Sequence, residues 1–215
     1  RAILKSYSHT PGDLTTLSPG WVNHIIESSD RKIWITTSDQ TGGINVMDPV
    51  TRSITSFPYR TILPGIWGID GMTEYSPGKF YLSTAGRHHQ QYLSKTNSVS
   101  NTSLPGVPDS TIILKFYTYK GDDWLCTRHG LFKRTNGRGD YVRYDLASLP
   151  GSNLISNEIT NAIGSEKHGL WLLTNNGLFL YNYKTDNFER HGYDKKSGDV
   201  FATQDINSFY EDSTG

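Results

Sequence analysis

Leu154-Ile155-Ser156-Asn157-Glu158-Ile159, then Leu170-Trp171-Leu172-Leu173-Thr174, then Gly177-Leu178-Phe179 form a series that recurs along the chain. Leu17-Ser18-Pro19-Gly20-Trp21-Val22, Ile33-Trp34-Ile35-Thr36-Thr37 and Gly43-Ile44 repeat it in the same register. Two further copies lie between them. One is Ile69 with Phe80-Tyr81-Leu82-Ser83-Thr84 and Gly86; the other is Ile112 with Asp123-Trp124-Leu125-Cys126-Thr127 and Gly130-Leu131-Phe132. The aromatic marker stands at 34, 81, 124 and 171, a period of about 45 residues, in the range of β-propeller repeats. A fifth copy opens at Asp205-Ile206 and runs through Phe209-Tyr210-Glu211-Asp212.

Each copy reads as four short strands. The first (Val22 to Ile26, Ile159 to Ile163, Ile206 to Tyr210) is apolar on both faces, as a strand sandwiched between neighbouring sheets must be. A polar turn follows, such as Ser28-Ser29-Asp30-Arg31 or Tyr75-Ser76-Pro77-Gly78, and then the strand with the Trp and the Thr. A Gly introduces the third strand, and Asn175-Asn176-Gly177 supplies residues that tolerate positive φ in a tight turn. The fourth is short and polar (Ile54 to Phe57, Tyr141 to Tyr144, Phe188 to His191). No stretch sustains a 3.6-residue period, so almost no helix is expected. A sandwich would not repeat at fixed spacing, and a solenoid of parallel coils would need shorter repeats.

The fold class predicted is therefore an all-β β-propeller of four-stranded antiparallel blades, with about four complete blades and partial blades at each end. The repeats run at about 17–60, 61–105, 106–150 and 151–197, with a partial repeat at 198–215, and residues 1–10 supply the outer strand of a preceding blade. An incomplete array, open or completed by further blades or a second subunit, is expected. The start at Arg1, with no initiating Met, points to a mature or excised fragment.

Composition narrows the partners. Lys plus Arg (21) balance Asp plus Glu (21), and the basic residues form no stripe, so no field exists to collect nucleic acid. No run reaches the roughly 18 apolar residues of a membrane span, so any membrane attachment is expected from segments outside this chain. The single Cys126 follows Trp124-Leu125 in a strand and reads as a small buried hydrophobe.

Asn157-Glu158-Ile159, Leu170-Trp171-Leu172-Leu173-Thr174, Gly177-Leu178 and Tyr181-Asn182-Tyr183 resemble the two-component regulator propeller repeat. The resemblance extends from about Leu17 to Gly215, although Thr36, Ser83, Cys126 and Leu173 replace the usual Gly of the Trp strand. It implies a module of the periplasmic sensor region of a hybrid two-component histidine kinase in gut bacteria, responding to oligosaccharides, with the kinase outside this chain.

Residues that share one phase in several copies read as architecture. Glu27, Glu74 and Glu211 are turn carboxylates; Trp34, Tyr81, Trp124 and Trp171 are core aromatics; Thr37, Thr84, Thr127 and Thr174 hydrogen-bond between strands. Residues that break the symmetry just before the first strand are the binding candidates: Trp21, Trp67, Asn157, Glu158, Gln204 and Asp205, with His24 close behind. In a propeller this phase lies near the mouth of the central channel, where Trp faces stack on sugar rings and amides and carboxylates hydrogen-bond to them.

The remaining signals are weaker. His88-His89 lacks a third ligand at recognisable spacing and reads as a solvated loop pair. Arg138-Gly139-Asp140 sits in the Gly-rich hairpin Asn136 to Asp140, and Asn101-Thr102-Ser103 is a glycosylation sequon. No metal, no cofactor and no catalytic residue is predicted, and no phosphate loop or nucleophile elbow is found. The expectation is a non-enzymatic sensor of an oligosaccharide or other small ligand. Its alternatives are a secreted propeller enzyme, a polysaccharide or cyclic-peptide lyase resting on Glu158, Asp205 and His24, or a protein-interaction scaffold.

Overall fold

The computed structural model describes residues 5–66, 68–69, 71–84, 89–149, 157–175 and 177–191. The chain is all-β, built of four-stranded antiparallel blades of the β-propeller class, each a meander in chain order. The first blade holds β1 (Trp21–Glu27), β2 (Ile33–Ser38), β3 (Gly43–Met47) and β4 (Ile54–Pro58). A one-turn helix, α1 (Tyr59–Ile62), leads to the second, with β5 (Gly71–Ser76), β6 (Lys79–Ser83), β7 (Gln90–Leu93) and β8 (Ser98–Asn101). The third comprises β9 (Ile113–Tyr119), β10 (Asp122–Thr127), β11 (Gly130–Arg134) and β12 (Val142–Tyr144). The fourth comprises β13 (Ile159–Ser165), β14 (Gly169–Thr174), β15 (Gly177–Asn182) and β16 (Asn187–His191). Residues 1–102 form one compact unit and residues 103–215 a second. Among the described residues no helix is long and apolar enough to cross a membrane.

In three of the four described blades the recurring Thr closes the hairpin between the second and third strands; in the second blade, against expectation, Thr84 Oγ1 is buried without a hydrogen bond among the described residues. Thr127 Oγ1 donates to the Gly130 carbonyl and Thr174 Oγ1 to the Gly177 carbonyl, each at 2.7 Å, while Gly43 N–H donates to Thr37 Oγ1 at 3.1 Å. Gly130 and Gly177, at φ 126° and 122°, hold a conformation closed to residues with a Cβ, which is why Gly follows the Thr at this spacing. The hairpin at Asn136 likewise needs left-handed residues: Asn136, Gly137 and Gly139 have φ of 50°, 63° and 73°.

The aromatic of β2 is the wedge of unit 1. Trp34, 4% exposed, meets Phe80 of β6 with ring centroids 4.4 Å apart and Tyr92 of β7 edge-on at 5.8 Å. Its indole N–H donates to Ser28 Oγ at 3.0 Å, so the buried polar atom is satisfied. Ile44, Met72 and Leu82 complete this core, and Tyr59, Leu63 and Ile66 close its end. Glu74 fastens the two blades at their turns, accepting from Ser29 N–H at 2.5 Å, Ser29 Oγ at 2.9 Å and Gly78 N–H at 2.7 Å. That is the structural part expected of a turn carboxylate at this phase. Glu27 pairs instead with Arg31 at 2.8 Å on the surface.

Unit 2 repeats the wedge with different chemistry around it. Trp124, fully buried, packs edge-on against Tyr181 at 4.7 Å and Tyr183 at 6.3 Å, and its indole N–H donates to Tyr183 OH at 3.2 Å. Lys133, beside it on β11, donates to Tyr181 OH at 2.6 Å and lies 3.3 Å from Asp122, with its ammonium 5.2 Å from the Trp124 ring. Buried charges of this kind persist only when paired and hydrogen-bonded, and both conditions are met. Tyr119 OH donates to the Ser165 carbonyl at 2.5 Å and Gly164 N–H to Tyr117 OH at 2.9 Å. A Cβ on Gly164 would collide with the Tyr119 ring, so glycine is required there for the blades to close.

Three expectations need correction. Trp171 and Tyr81 are half-buried and not core aromatics of the Trp34 kind. Trp171 meets His191 at 4.9 Å and His168 at 6.1 Å, and Tyr81 stacks on Tyr75 at 4.0 Å, all within their own blades. Strand β1 is not buried on both faces: Trp21, Val22 and Ile25 are 84%, 48% and 65% exposed, while Ile26 joins the core. His89 is 2% exposed and not a solvated loop residue; His88 lies outside the described residues.

Cys126 is fully buried, as expected, and burial pushes its thiol up to about 12. Because the thiolate is the reactive form, Cys126 should resist alkylation by iodoacetamide at pH 8 in the native protein and react only on unfolding, as mass spectrometry would show. Burial also raises the Tyr92 phenol from 10.0 to about 12. The folded state thus holds its proton more tightly than the unfolded state. This contribution to stability is intact below pH 10 and falls as pH rises towards 12, which chemical denaturation at stepped pH would register. Trp124→Ala should cost about 3 to 5 kcal/mol in the same assay, and Trp171→Ala only about 1 to 2, since part of its ring is already in water.

Candidate functional site

The first strands carry a recurring irregularity at the end where the symmetry-breaking residues lie. Register shifts between Val22 and His24 in β1 and between Ile159 and Asn161 in β13 leave Asn23 and Thr160 without a partner across the ladder. In the third blade the shift falls between Cys126 and Thr127 on β10 and leaves Leu114 of β9 as the extra residue. A bulge of this kind turns the strand and re-aims the side chains beside it. In β5 the shift falls instead at the opposite end, between Glu74 and Ser76.

In unit 1 the bulge builds a small polar rim around an exposed indole. Gly20, at φ 101°, lies directly against the Ser38 carbonyl, where a Cβ would clash, and this close approach sets Trp21 at the edge of the sheet. Trp21 pairs with Ser38 across the ladder and remains 84% exposed. Ser38 Oγ donates to Asn23 Oδ1 at 3.1 Å, and Asn23 Nδ2 donates to the Ile69 carbonyl at 3.4 Å. Gly68 lies so close that a Cβ there would stand 3.2 Å from Ser38 Cβ. His24, half-buried, pairs with Thr36 just past the bulge. The result is a large aromatic face free to solvent, backed by an amide and a hydroxyl fixed by each other.

In unit 2 the corresponding edge precedes β13. Asn157 Oδ1 accepts the Ala147 N–H at 2.8 Å, tying the start of β13 to the 3₁₀ turn Leu146–Ser148. That commits the amide oxygen to structure. Glu158, half-buried, is the next residue along. Trp67, Gln204 and Asp205 lie outside the described residues. Of the residues proposed from the sequence, Trp21 and His24 thus flank the bulge of β1, and Asn157 and Glu158 directly precede β13.

Asn23 and Ser38 were missed by sequence reasoning. Asn23 sits inside an apolar strand, where a lone polar residue signals a bulge or a solvent-facing register, and that signal was available. Ser38 stands one residue past the conserved phase of Thr37, and nothing in its spacing marks it.

No family model and no curated protein matches the chain. Solved structures do. The extracellular domain of the hybrid two-component system BT3049 of B. thetaiotaomicron matches 97% of this chain at 21% identity, with a TM-score of 0.69. The extracellular domain of the one-component system BT4673 of the same organism matches 96% at 16% identity and a TM-score of 0.65. An auxiliary nutrient binding protein of Bacteroides thetaiotaomicron matches 80% at 6% identity and a TM-score of 0.54. The chain spans 26% of the length of each of the first two structures and 41% of the third. At these identities the likeness establishes the fold, that of blades in the extracellular domains of signalling proteins.

Proposed function

We propose that this chain is a ligand-sensing blade module on the periplasmic side of a two-component signalling receptor, that its ligand is an oligosaccharide, and that the signal passes to a kinase outside this chain. The observation that carries the reading is Trp21. Its indole is 84% exposed, while the close approach of Gly20 to the Ser38 carbonyl and the Ser38–Asn23 hydrogen bond fix the strand end that carries it. Sugar rings present apolar faces for such a platform and hydroxyls for the neighbouring amide and imidazole of Asn23 and His24. The edge of unit 2, with Asn157 and Glu158, offers hydrogen-bonding groups of the same class, and Trp67, Gln204 and Asp205 share its phase in the sequence. The balanced charge fits a neutral ligand, and the extracellular signalling domains that share the fold supply the context for a sensor. Binding would act by favouring one of two packings of the receptor over the other.

Calorimetry of the purified chain against a panel of plant and host oligosaccharides tests this. At least one should bind, with an affinity that changes little between low and high salt because no counterions are released. Trp21→Ala should weaken binding about tenfold or more, whereas Glu158→Gln should cost less than about tenfold if the carboxylate only accepts hydrogen bonds. Unchanged binding in Trp21→Ala would overturn the assignment of the platform. Cleaved sugar chains that vanish with Glu158→Gln would replace the sensor with an enzyme.

A further inference from the structure

Unit 1 holds a cavity that the rim does not use. Residues 9–19 cross the edge of β4 as a strap. Ser56 N–H donates to the Leu14 carbonyl at 2.8 Å, and Ser18 donates to Asn45 Oδ1 from its amide at 2.7 Å and from its hydroxyl at 2.9 Å. Beneath the strap lies a pocket of about 400 Å³, walled by Leu14, Leu17 and Pro58 and edged by His9, Asp13 and Arg60. That volume falls in the range of small-molecule sites.

Most polar groups of the pocket are already bonded within the protein. Ser18 and Ser56 both give their hydroxyl protons to Asn45 Oδ1, and Thr41 bonds Asp39. His9 Nδ1 donates to the Leu17 carbonyl at 2.8 Å, which leaves Nε2 to accept. Asp13 Oδ1 takes the Thr15 amide at 2.8 Å and its hydroxyl at 2.6 Å; these bonds hold the carboxyl below the usual carboxylate range and leave Oδ2 open. Among the described residues the Arg60 guanidinium has no hydrogen bond and no ion pair, and Asp13 and Arg60 are not paired with each other. One fixed anion and one cation therefore edge a single apolar-walled pocket, and each lacks a counter-charge.

A neutral sugar would leave both charges unmatched, and a simple anion would meet Asp13. A molecule with a carboxylate, an ammonium and an apolar side chain matches all three features. We infer that this pocket binds a small zwitterion of that kind, an amino acid or dipeptide, with Arg60 taking the carboxylate in bidentate fashion, Asp13 taking the ammonium and the leucines and proline taking the side chain. The site is separate from the Trp21 rim, so either assignment can fail without the other.

Calorimetry with three peptides tests it: Ala-Leu, N-acetyl-Ala-Leu, which lacks the ammonium, and Ala-Leu amide, which lacks the carboxylate. Ala-Leu should bind, and each capped form should bind about tenfold more weakly or worse. Arg60→Gln should abolish the difference between Ala-Leu and its amide, and Asp13→Asn the difference between Ala-Leu and its acetylated form. Both residues are exposed, so circular dichroism should be unchanged. Arg31→Gln, remote from the pocket, should bind like wild type, and Arg60→Gln should retain any oligosaccharide binding at the rim. No saturable heat from Ala-Leu, equal affinity for the three peptides, or full discrimination surviving in Arg60→Gln would overturn the assignment.

Discussion

A four-stranded sheet of this size cannot bury its own faces, and the wedge of one blade's indole between the aromatics of the next is what overcomes that limit. Trp34 against Phe80 and Tyr92, and Trp124 against Tyr181 and Tyr183, each join two marginal sheets into one core. The polar locks follow from the wedge. Ser28 and Tyr183 satisfy the two indole N–H groups, Glu74 staples the turns of unit 1, and Lys133 with Asp122 fills the margin of the wedge in unit 2. The two indole bonds and the Lys133–Asp122 pair lie where apolar packing limits water, whereas the bonds from Ser29 to Glu74 lie at the surface.

The same rule fixes where a functional surface can exist. Residues on the side of a blade that meets its neighbour are committed to packing, as Met72, Phe80 and Leu82 are in unit 1. The starts of β1, β9 and β13 are not: there the ladder slips by one residue, and before β1 Gly20 admits a close backbone approach. The Trp21 rim arises at such a slip. The pocket under the strap arises differently, where residues 9–19 leave the sheet's own hydrogen-bonding pattern and cover the edge of β4.

The fold was legible because its signal is repeated. The marker aromatic and its Thr reappear in register in each copy, and in the third and fourth blades the bond from the Thr hydroxyl to the Gly carbonyl explains their three-residue spacing. What was not legible depended on neighbours. Trp34 and Trp171 occupy one phase, yet the first is buried and the second half-buried, so the phase along the repeat does not by itself set depth. The exposure of Trp21, Val22 and Ile25 in β1 is likewise not written in the strand's own apolar pattern. His89 stands in the loop directly before β7, as its company with His88 suggests, but it is buried and not solvated. Of the rim, Trp21 and His24 could be named from asymmetry between copies, whereas Ser38 and the bulge that frees Asn23 depend on pairing across the ladder. Asp13 and Arg60 are far apart in sequence and carry no motif, so only the path of the strap shows that they edge one cavity.

The central claim is that blades are joined by aromatic wedging across their boundary. A double-mutant cycle on Trp124 and Tyr181, read by chemical denaturation, tests it most directly. Trp124→Phe, Tyr181→Leu and the double variant should show a coupling of about 0.5 to 1.5 kcal/mol beyond their separate costs, the worth of an edge-on aromatic pair. Strict additivity of the two substitutions would contradict it.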